Sequence, residues 1–222
     1  MAFWIASLAG LLVAYLLGAT PTGYLAGRLL KGIDIREHGS GSTGATNVLR
    51  TLGKWPALAV FLIDLAKGAA AILFALWFYP WLSTQPSMAL PAGLDAATLT
   101  PWAVCLAGLI VVLGHSRSVW LGFTGGKSAA TGLGVLLAMA WPVGAGAAAV
   151  VVLTLAAFRI MSLSSMLGAI TAIALICARP EPMAYRALAV AGGAYVIWLH
   201  RANIGRLLAG TEPRLGRSSS GA

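Results

Sequence analysis

The sequence has very little charge. Only 9% of its 222 residues are Asp, Glu, Lys or Arg, whereas 59% are apolar. A soluble globular domain is about one quarter charged, so a chain of this composition could not cover its surface with enough charge to stay in water. The shortage of charge therefore excludes a soluble domain and predicts a protein that lives in a membrane.

Acidic residues are the scarcest of the charged residues. The chain has 6 Asp and Glu against 15 Lys and Arg, which gives a net charge of +9. The basic residues are scattered among long apolar runs and form no soluble basic face, so the charge does not predict a nucleic-acid partner. It serves first as a marker of membrane topology.

Cysteine is also scarce, and no spacing of Cys, His, Asp and Glu is typical of a metal site. The two cysteines, Cys105 and Cys177, both lie in apolar runs without a Cys-x-x-Cys pair. Buried free thiols are expected at both positions. We predict neither a metal nor another cofactor.

Long apolar runs are abundant. A membrane-spanning helix needs roughly 17 to 25 mostly apolar residues, and seven runs approach or reach this length, although the fourth and sixth are short. The sequence predicts an all-α polytopic membrane protein with a single bundle of about seven transmembrane helices. The runs cover residues 3–26, 55–81, 99–115, 128–141, 143–160, 164–179 and 185–201.

The basic residues predict how this bundle is oriented. If the N-terminus is outside, 13 of the 15 Lys and Arg fall in cytoplasmic segments, and only Arg179 and Arg186 fall outside. This agrees with the positive-inside rule, which favours Lys and Arg in short cytoplasmic loops. We expect an external N-terminus, a cytoplasmic C-terminus, one domain over residues 1–217 and a disordered tail over 218–222. Gly23 and Gly27, four apart at the end of the first run, predict close helix packing.

The polar residues concentrate in three clusters that fall on the same predicted face of the membrane. Each contains or directly follows one histidine, namely His38, His115 or His200, and is rich in Gly, Ser, Thr, Asn, Lys or Arg. This pattern predicts one polar site that faces the cytoplasm and is assembled from loops remote in sequence. The alternative is a set of solvated loops that carry ordinary topology-determining charges.

The first cluster covers residues 39–50 and has the composition of an anion cradle. Its glycines allow turns that expose N–H groups, and its hydroxyls add further donors. If a helix begins near Thr46, Asn47 and Arg50 lie on one face and could converge on a single anion. The alternative is that Ser42 or Thr46 merely caps the helix. The candidate ligands are Ser40, Gly41, Ser42, Thr46, Asn47 and Arg50.

The second cluster covers residues 114–117 and 122–128 and superficially resembles a P-loop at Gly126, Lys127 and Ser128. That motif would need glycine at position 121, where the sequence has Leu121, and no strand is predicted before it, so nucleotide hydrolysis is excluded. A glycine-rich turn with a lysine just ahead of a helix still offers N–H groups, a cation and the helix dipole to a phosphate. The alternative role of Lys127 is an interface anchor.

The third cluster places His200, Asn203 and Arg206 at every third residue, which gives one polar stripe on a helix, and Glu212 follows it. Asn203 could orient a substrate and Arg206 could neutralise a phosphate. The alternative is an amphipathic interfacial helix with snorkelling arginines.

Two further polar groups fall inside or between the apolar runs. Asp64 and Lys67, three apart in the second run, are expected to form an ion pair that supports the site, with a catalytic role as the alternative. Ser162, Ser164 and Ser165 lie on a short turn, where helix capping and ligand contact are both plausible.

Together the three clusters resemble the motifs of the bacterial acyl-phosphate:glycerol-3-phosphate acyltransferase family of integral membrane enzymes. The resemblance extends over the whole chain and rests on Ser40–Arg50, on Gly114–His115 with Gly125–Lys127, and on His200–Glu212. The sequence departs from the common pattern of the family at Ser42, at the stretch Ser116–Ser118 and at Ser128. Glycine is usual in the family at the position of Ser128.

The resemblance implies transfer of a fatty acyl group from acyl phosphate to the 1-hydroxyl of glycerol 3-phosphate, giving lysophosphatidic acid and phosphate in phospholipid biosynthesis. It also implies a multi-pass protein of the bacterial inner membrane, expected to be a monomer. Catalytic roles fall to Ser40, Arg50, Lys127 and Asn203. Substrate or phosphate contacts fall to Gly41, Ser42, Thr46, Asn47, Gly125, Gly126, Ser165, His200, Arg206 and Glu212.

The residues themselves favour direct transfer without an acyl-enzyme. An acyl phosphate is already activated, so the enzyme mainly has to align two anions and stabilise an oxyanion. No His-x4-Asp dyad is present, since the fifth residues after the three histidines are Thr43, Trp120 and Gly205. A substrate phosphate is therefore expected to assist removal of the hydroxyl proton. Rival functions are a small-anion transporter, an alcohol phosphotransferase and a membrane scaffold without chemistry.

Overall fold

A computed structural model describes residues 1–88, 90 and 93–216 of the chain. The predicted tail at 218–222 lies outside these residues. Within them the fold is all-helical, as predicted, and the one piece of β pairing is an isolated bridge between Ser118 and Thr124. The α-helices are α1 (Ala2–Ala19), α2 (Thr22–Lys31), α3 (Ala45–Leu52), α4 (Lys54–Ser83), α5 (Ala96–Ser116), α6 (Ala129–Met139), α7 (Trp141–Phe158), α8 (Met161–Cys177), α9 (Met183–Leu199) and α10 (Arg201–Leu208).

The predicted apolar runs coincide with apolar helices. Four segments are long and apolar enough to cross a membrane, namely Ala2–Lys31, Lys54–Ser83, Ala96–Ser116 and Trp141–Phe158. The runs at 128–141, 164–179 and 185–201 form shorter apolar helices of 11, 17 and 17 residues. The count of seven spans and the orientation of the termini stay predictions.

The first apolar run is not one continuous helix, because Pro21 separates α1 from α2. Proline has no N–H to donate to the preceding turn, and buried side chains of α4 bind the groups at the break. Lys67 Nζ donates to the Thr20 carbonyl over 3.1 Å, and the Thr22 hydroxyl donates to Asp64 Oδ1 over 2.5 Å. The predicted Asp64–Lys67 ion pair is confirmed, with 2.9 Å between Nζ and Oδ1, and it stabilises this break.

Small residues allow the helices to pack closely around α4 and α5. A Cβ placed on Gly68 of α4 would meet the backbone carbonyl of Thr131 in α6, so the two backbones are in direct contact there. Gly23 also packs closely, as predicted, but its neighbour is the carbonyl of Thr43 in a loop rather than another helix. Gly23 thereby anchors the loop of the first polar cluster to α2.

The prediction of two buried thiols is correct for Cys105 and wrong for Cys177. Cys105 lies mid-helix in α5 and belongs to the main apolar core. Cys177 is exposed because α8 ends at that residue.

Candidate active site

A cavity of about 710 Å³ opens between the helices from α3 to α10. One part of its lining is polar and carries cations, and the rest is apolar and is formed mainly by side chains of α4 and of the helices from α6 to α9. The polar lining includes Ser40, Ser42, Thr46, Asn47, Arg50, Lys54, Lys127, Ser162, Ser165, His200, Asn203, Arg206 and Glu212. The aliphatic lining includes Leu133, Leu136, Val151, Leu155, Ala172 and Val196.

The three clusters predicted to meet therefore do meet. Eleven of the fourteen candidate residues line this cavity. The exceptions are Gly41, Gly125 and Gly126, whose contribution is to the backbone of the surrounding loops. His38, which directly precedes the first cluster, is exposed and lies outside the lining.

Asn47 organises the loop of the first cluster. Its side chain is only 1% exposed; Oδ1 accepts from the Ser40 N–H at 2.9 Å, and Nδ2 lies within 3.0 Å of the carbonyls of Ile35, His38 and Ser42. Because these bonds occupy its amide, Asn47 holds the loop of the first cluster in its conformation. The structure gives no support to the prediction that Asn47 and Arg50 converge on one anion.

The structure does not contain the alternative predicted for this cluster, in which Ser42 or Thr46 caps α3. The N-cap of α3 is Gly44, and no side chain caps the helix. The Ser42 hydroxyl instead accepts from the Gly44 N–H at 3.2 Å. Among the residues that the structure describes, the hydroxyls of Ser40 and Thr46 have no hydrogen-bond partner. Both remain available at the lining of the cavity.

The loop of the second cluster places Lys127 just ahead of α6, as predicted. Gly126 N–H donates to the His115 carbonyl over 3.1 Å, which closes the loop against the end of α5. Ser128 has a φ of +60°, a left-handed conformation that favours glycine. The family resemblance implies glycine at this position, and glycine adopts this conformation without strain. Ser128 adopts it with its hydroxyl bonded to the Val112 carbonyl at 2.8 Å.

The third cluster forms a hydrogen-bonded network with Lys127 at one end. Lys127 Nζ donates to Asn203 Oδ1 over 2.6 Å, and Asn203 Nδ2 donates to Glu212 Oε1 over 2.5 Å. Arg206 Nε donates to the other oxygen of Glu212 over 2.7 Å. Asn203 thus lies between the ammonium of Lys127 and the carboxylate of Glu212. Glu212 in turn forms an ion pair with the guanidinium of Arg206.

The polar stripe of this cluster is not on one continuous helix. His200 ends α9 and precedes α10, and its Nδ1 lies 2.8 Å from the Val196 carbonyl. Because a carbonyl only accepts, Nδ1 carries the proton in this contact. The break turns α10 so that Asn203 is 5% exposed and directed to the network.

Burial and neighbouring charges change the pKa values at the two ends of this network. Burial lowers the pKa of Lys127, the cations of Arg206 and Arg50 lower it further, and Glu212 opposes them. Burial alone would raise the pKa of Glu212, but hydrogen bonds from Ser162, Asn203 and Arg206 outweigh it and lower the pKa. Glu212 therefore stays ionised, and the ammonium of Lys127 gives up its proton more readily than an exposed lysine does.

Sequence reasoning did not select Ser162 as a site residue, although it noted the serine turn. The Ser162 hydroxyl donates to Glu212 Oε1 over 2.7 Å and ties the turn before α8 to the C-terminal segment. The three serines do not cap α8, whose N-cap is Ile160. Ser164 bonds to the Ile160 carbonyl, and Ser165 lines the cavity. Lys54 was also missed, since it reads as an ordinary helix-start lysine.

Comparison with known proteins decides the family. The profile of the glycerol-3-phosphate acyltransferase family matches residues 8–210. The chain belongs to this family. Glycerol-3-phosphate acyltransferase 2 of Rhizobium johnstonii is 68% identical over 217 residues, which are 98% of this chain and 99% of the relative. The glycerol-3-phosphate acyltransferase of Acaryochloris marina is 53% identical over 99% of this chain and 97% of its own length.

Solved structures give the same result. The crystal structure of PlsY (YgiH), an integral membrane glycerol 3-phosphate acyltransferase, in its glycerol 3-phosphate form has a TM-score of 0.80 and is 35% identical, covering 95% of this chain and 96% of that one. The lysophosphatidic acid form has a TM-score of 0.77 at 34% identity, covering 95% of both chains. The family resemblance drawn from the three motifs is confirmed, and this acyltransferase family member is a membrane protein.

Proposed function

We propose that the protein transfers a fatty acyl group from acyl phosphate to the 1-hydroxyl of glycerol 3-phosphate, releasing lysophosphatidic acid and inorganic phosphate. The observation that carries this proposal is the division of one cavity into a cationic polar part and an aliphatic part between helices. An acyl phosphate has the same two parts, joined at the carbonyl carbon that reacts.

The polar part carries more positive than negative charge near its centre. Arg50, Lys127 and Arg206 line it, and Glu212 is the carboxylate in contact with this group. The reaction brings two phosphate groups together, so a surplus of cations lowers the repulsion between the substrates and stabilises the developing oxyanion. The open hydroxyls of Ser40 and Thr46 provide further donors. We assign catalytic roles to Ser40, Arg50, Lys127 and Asn203 on this basis.

The aliphatic part of the cavity suits the acyl chain. Side chains of α6, α7, α8 and α9 line it. A lipid chain in a membrane is already in apolar surroundings, so the chain is held by van der Waals packing against these side chains rather than by removal from water. This packing would hold the carbonyl carbon at the polar end. The residues concerned include Leu133, Leu136, Val151, Leu155 and Ala172.

We propose direct transfer without a covalent acyl-enzyme. The oxygen of the 1-hydroxyl attacks the acyl carbonyl carbon, the bond from that carbon to the phosphate oxygen breaks, and phosphate leaves with the electron pair. A substrate phosphate accepts the hydroxyl proton. In the described part of the chain no carboxylate contacts the His200 ring, so the carboxylate–histidine pair typical of a side-chain base is lacking there, which favours this route.

A donor assay in detergent tests the proposal. Purified protein is mixed with labelled glycerol 3-phosphate and, in separate reactions, acyl phosphate, acyl-CoA or acyl carrier protein thioester. Labelled lysophosphatidic acid is expected only with acyl phosphate. Full activity with a thioester, or no product from acyl phosphate, would overturn the donor assignment, and a trapped acyl-enzyme with acyl phosphate alone would overturn direct transfer.

The proposed setting is the bacterial inner membrane, with seven spans, an external N-terminus, a cytoplasmic cavity and a monomeric protein. Single cysteines at Ser83 and Arg214 in a Cys105→Ala/Cys177→Ala background would test this orientation. A membrane-impermeant maleimide added to intact spheroplasts is expected to label position 83 and spare position 214. The reverse pattern would contradict the orientation.

A further inference from the structure

Lys127 follows a loop that is closed at its base by one residue, His115. Inside the loop, Ser118 N–H donates to the Thr124 carbonyl over 3.2 Å, and Phe123 N–H donates to the Ser118 carbonyl over 2.8 Å. At the base, Gly126 N–H donates to the His115 carbonyl over 3.1 Å. The backbone immediately before Lys127 is therefore fixed to the end of α5 through His115.

The imidazole ring of His115 also supports this backbone. A Cβ placed on Gly126 would fall on the ring nitrogen Nε2, so the glycine backbone rests directly on the ring. His115 itself is only 7% exposed, which leaves the ring little room to turn. The carbonyl and the ring of one residue thus contact Gly126 from two directions.

The other ring nitrogen faces Asp64 of α4. The distance from His115 Nδ1 to Asp64 Oδ1 is 3.6 Å, and in the described part of the chain buried Nδ1 has no hydrogen-bond partner. This distance is longer than a hydrogen bond, so the attraction is electrostatic and favours a proton on Nδ1. Asp64 is itself fixed by Lys67 and by the Thr22 hydroxyl.

We propose that His115, oriented by Asp64, is a positioning residue for Lys127. The ion pair at the break between α1 and α2 fixes Asp64, Asp64 orients the His115 ring, and the ring supports the Gly126 backbone that sets the position of the Lys127 ammonium. This proposal rests on the acyltransferase function proposed for the cavity. It gives the Asp64–Lys67 pair a role that extends beyond the helix break.

Two substitutions at His115 separate the contacts of its ring nitrogens. His115→Gln places an amide near the position of Nε2 and keeps the support beneath Gly126. His115→Asn places an amide near Nδ1 and removes that support. We expect kcat to fall by about ten- to hundredfold in His115→Asn and His115→Ala, a loss typical of a misplaced catalytic group, while His115→Gln stays within a few-fold of the wild type.

Hydrogen exchange gives a second readout that does not depend on turnover. Peptides covering residues 117–127 should exchange several-fold faster in His115→Asn than in His115→Gln. The matched control is Val111→Ala, which removes a fully buried side chain one turn earlier in α5 and should alter neither kcat nor exchange in this loop. Asp64→Asn weakens the contact at Nδ1 and leaves the ring beneath Gly126, so it should lower kcat by a few-fold, less than His115→Asn does.

Equal turnover in the Gln and Asn variants, or unchanged exchange in the loop, would overturn the positioning role of His115. Unchanged kcat in Asp64→Asn would remove Asp64 from the proposal. The proposed function fails in a different way, namely if the wild type makes no lysophosphatidic acid from acyl phosphate or if Lys127→Ala has normal turnover.

Discussion

Removal of the Asn203 side chain should reveal how much the site depends on the network around Lys127. Asn203→Ala deletes the acceptor 2.6 Å from Lys127 Nζ and the donor 2.5 Å from Glu212 Oε1. Hydrogen bonds to charged groups contribute about 1.5–3 kcal/mol each, but water entering the open cavity will replace part of this. A net loss of about 2.7 kcal/mol in the transition state corresponds to roughly a hundredfold lower kcat/KM.

The assay for this prediction is steady-state turnover of labelled glycerol 3-phosphate with acyl phosphate in detergent. Arg201→Ala is the matched control, because Arg201 is two residues away on the same helix but stacks over Trp198 and does not line the cavity. Its turnover should equal that of the wild type. If Asn203→Ala retains turnover within about threefold of the control, the network does not position Lys127 and the reasoning is refuted.

Three further changes test the charges and the loop. Burial and the nearby arginines lower the pKa of Lys127, so activity should be lost with rising pH already at a pH below the pKa of an exposed lysine. In a pH–rate profile, Lys127→Arg should move this loss of activity to higher pH. Glu212 has a lowered pKa in the folded protein, so its stabilising effect is present at neutral pH and is lost as the pH falls through that pKa. Glu212→Gln should therefore have a lower melting temperature than the wild type at pH 7. Its melting temperature should also change less than that of the wild type as the pH is lowered. Asn47→Ala removes four contacts inside the loop of the first cluster. It should lower the melting temperature by several degrees and raise KM for glycerol 3-phosphate. A melting temperature and a KM equal to those of the wild type would contradict the organising role of Asn47.

The helical character of the fold could be predicted from the sequence because length and hydropathy are local properties. Pro21 is a local signal for a break in the first apolar run, but the side chains that stabilise the break, Asp64 and Lys67, are distant in sequence and could not be assigned to it from hydropathy. The short apolar helix Ala129–Met139 was likewise predicted as a longer run. The predicted start at 128 is within one residue of the observed start, whereas the end differs because α7 already begins at Trp141.

The site was predictable in its composition but not in the distribution of roles. Clusters of Gly, Ser, Asn, Lys and Arg identified the loops that meet at the cavity, because few polar residues occur elsewhere. The same composition cannot distinguish a ligand from a residue that organises the loop. Asn47 appeared equivalent to Asn203, yet the amide of Asn47 is bonded to its own loop and that of Asn203 links two charged side chains.

The position of Asn203 between Lys127 and Glu212 has a consequence for the proposed reaction. A direct ion pair of Lys127 with Glu212 would have to be broken whenever a substrate phosphate bound, and separating a partly buried pair is costly. A neutral amide between them holds the ammonium by one hydrogen bond and leaves its other two N–H donors available. Arg206 meanwhile neutralises Glu212 at 2.7 Å, so the carboxylate orients Asn203 without cancelling the charge of Lys127. One carboxylate can thus organise the cationic part of the cavity and still leave Lys127 and Arg50 free for two anionic substrates.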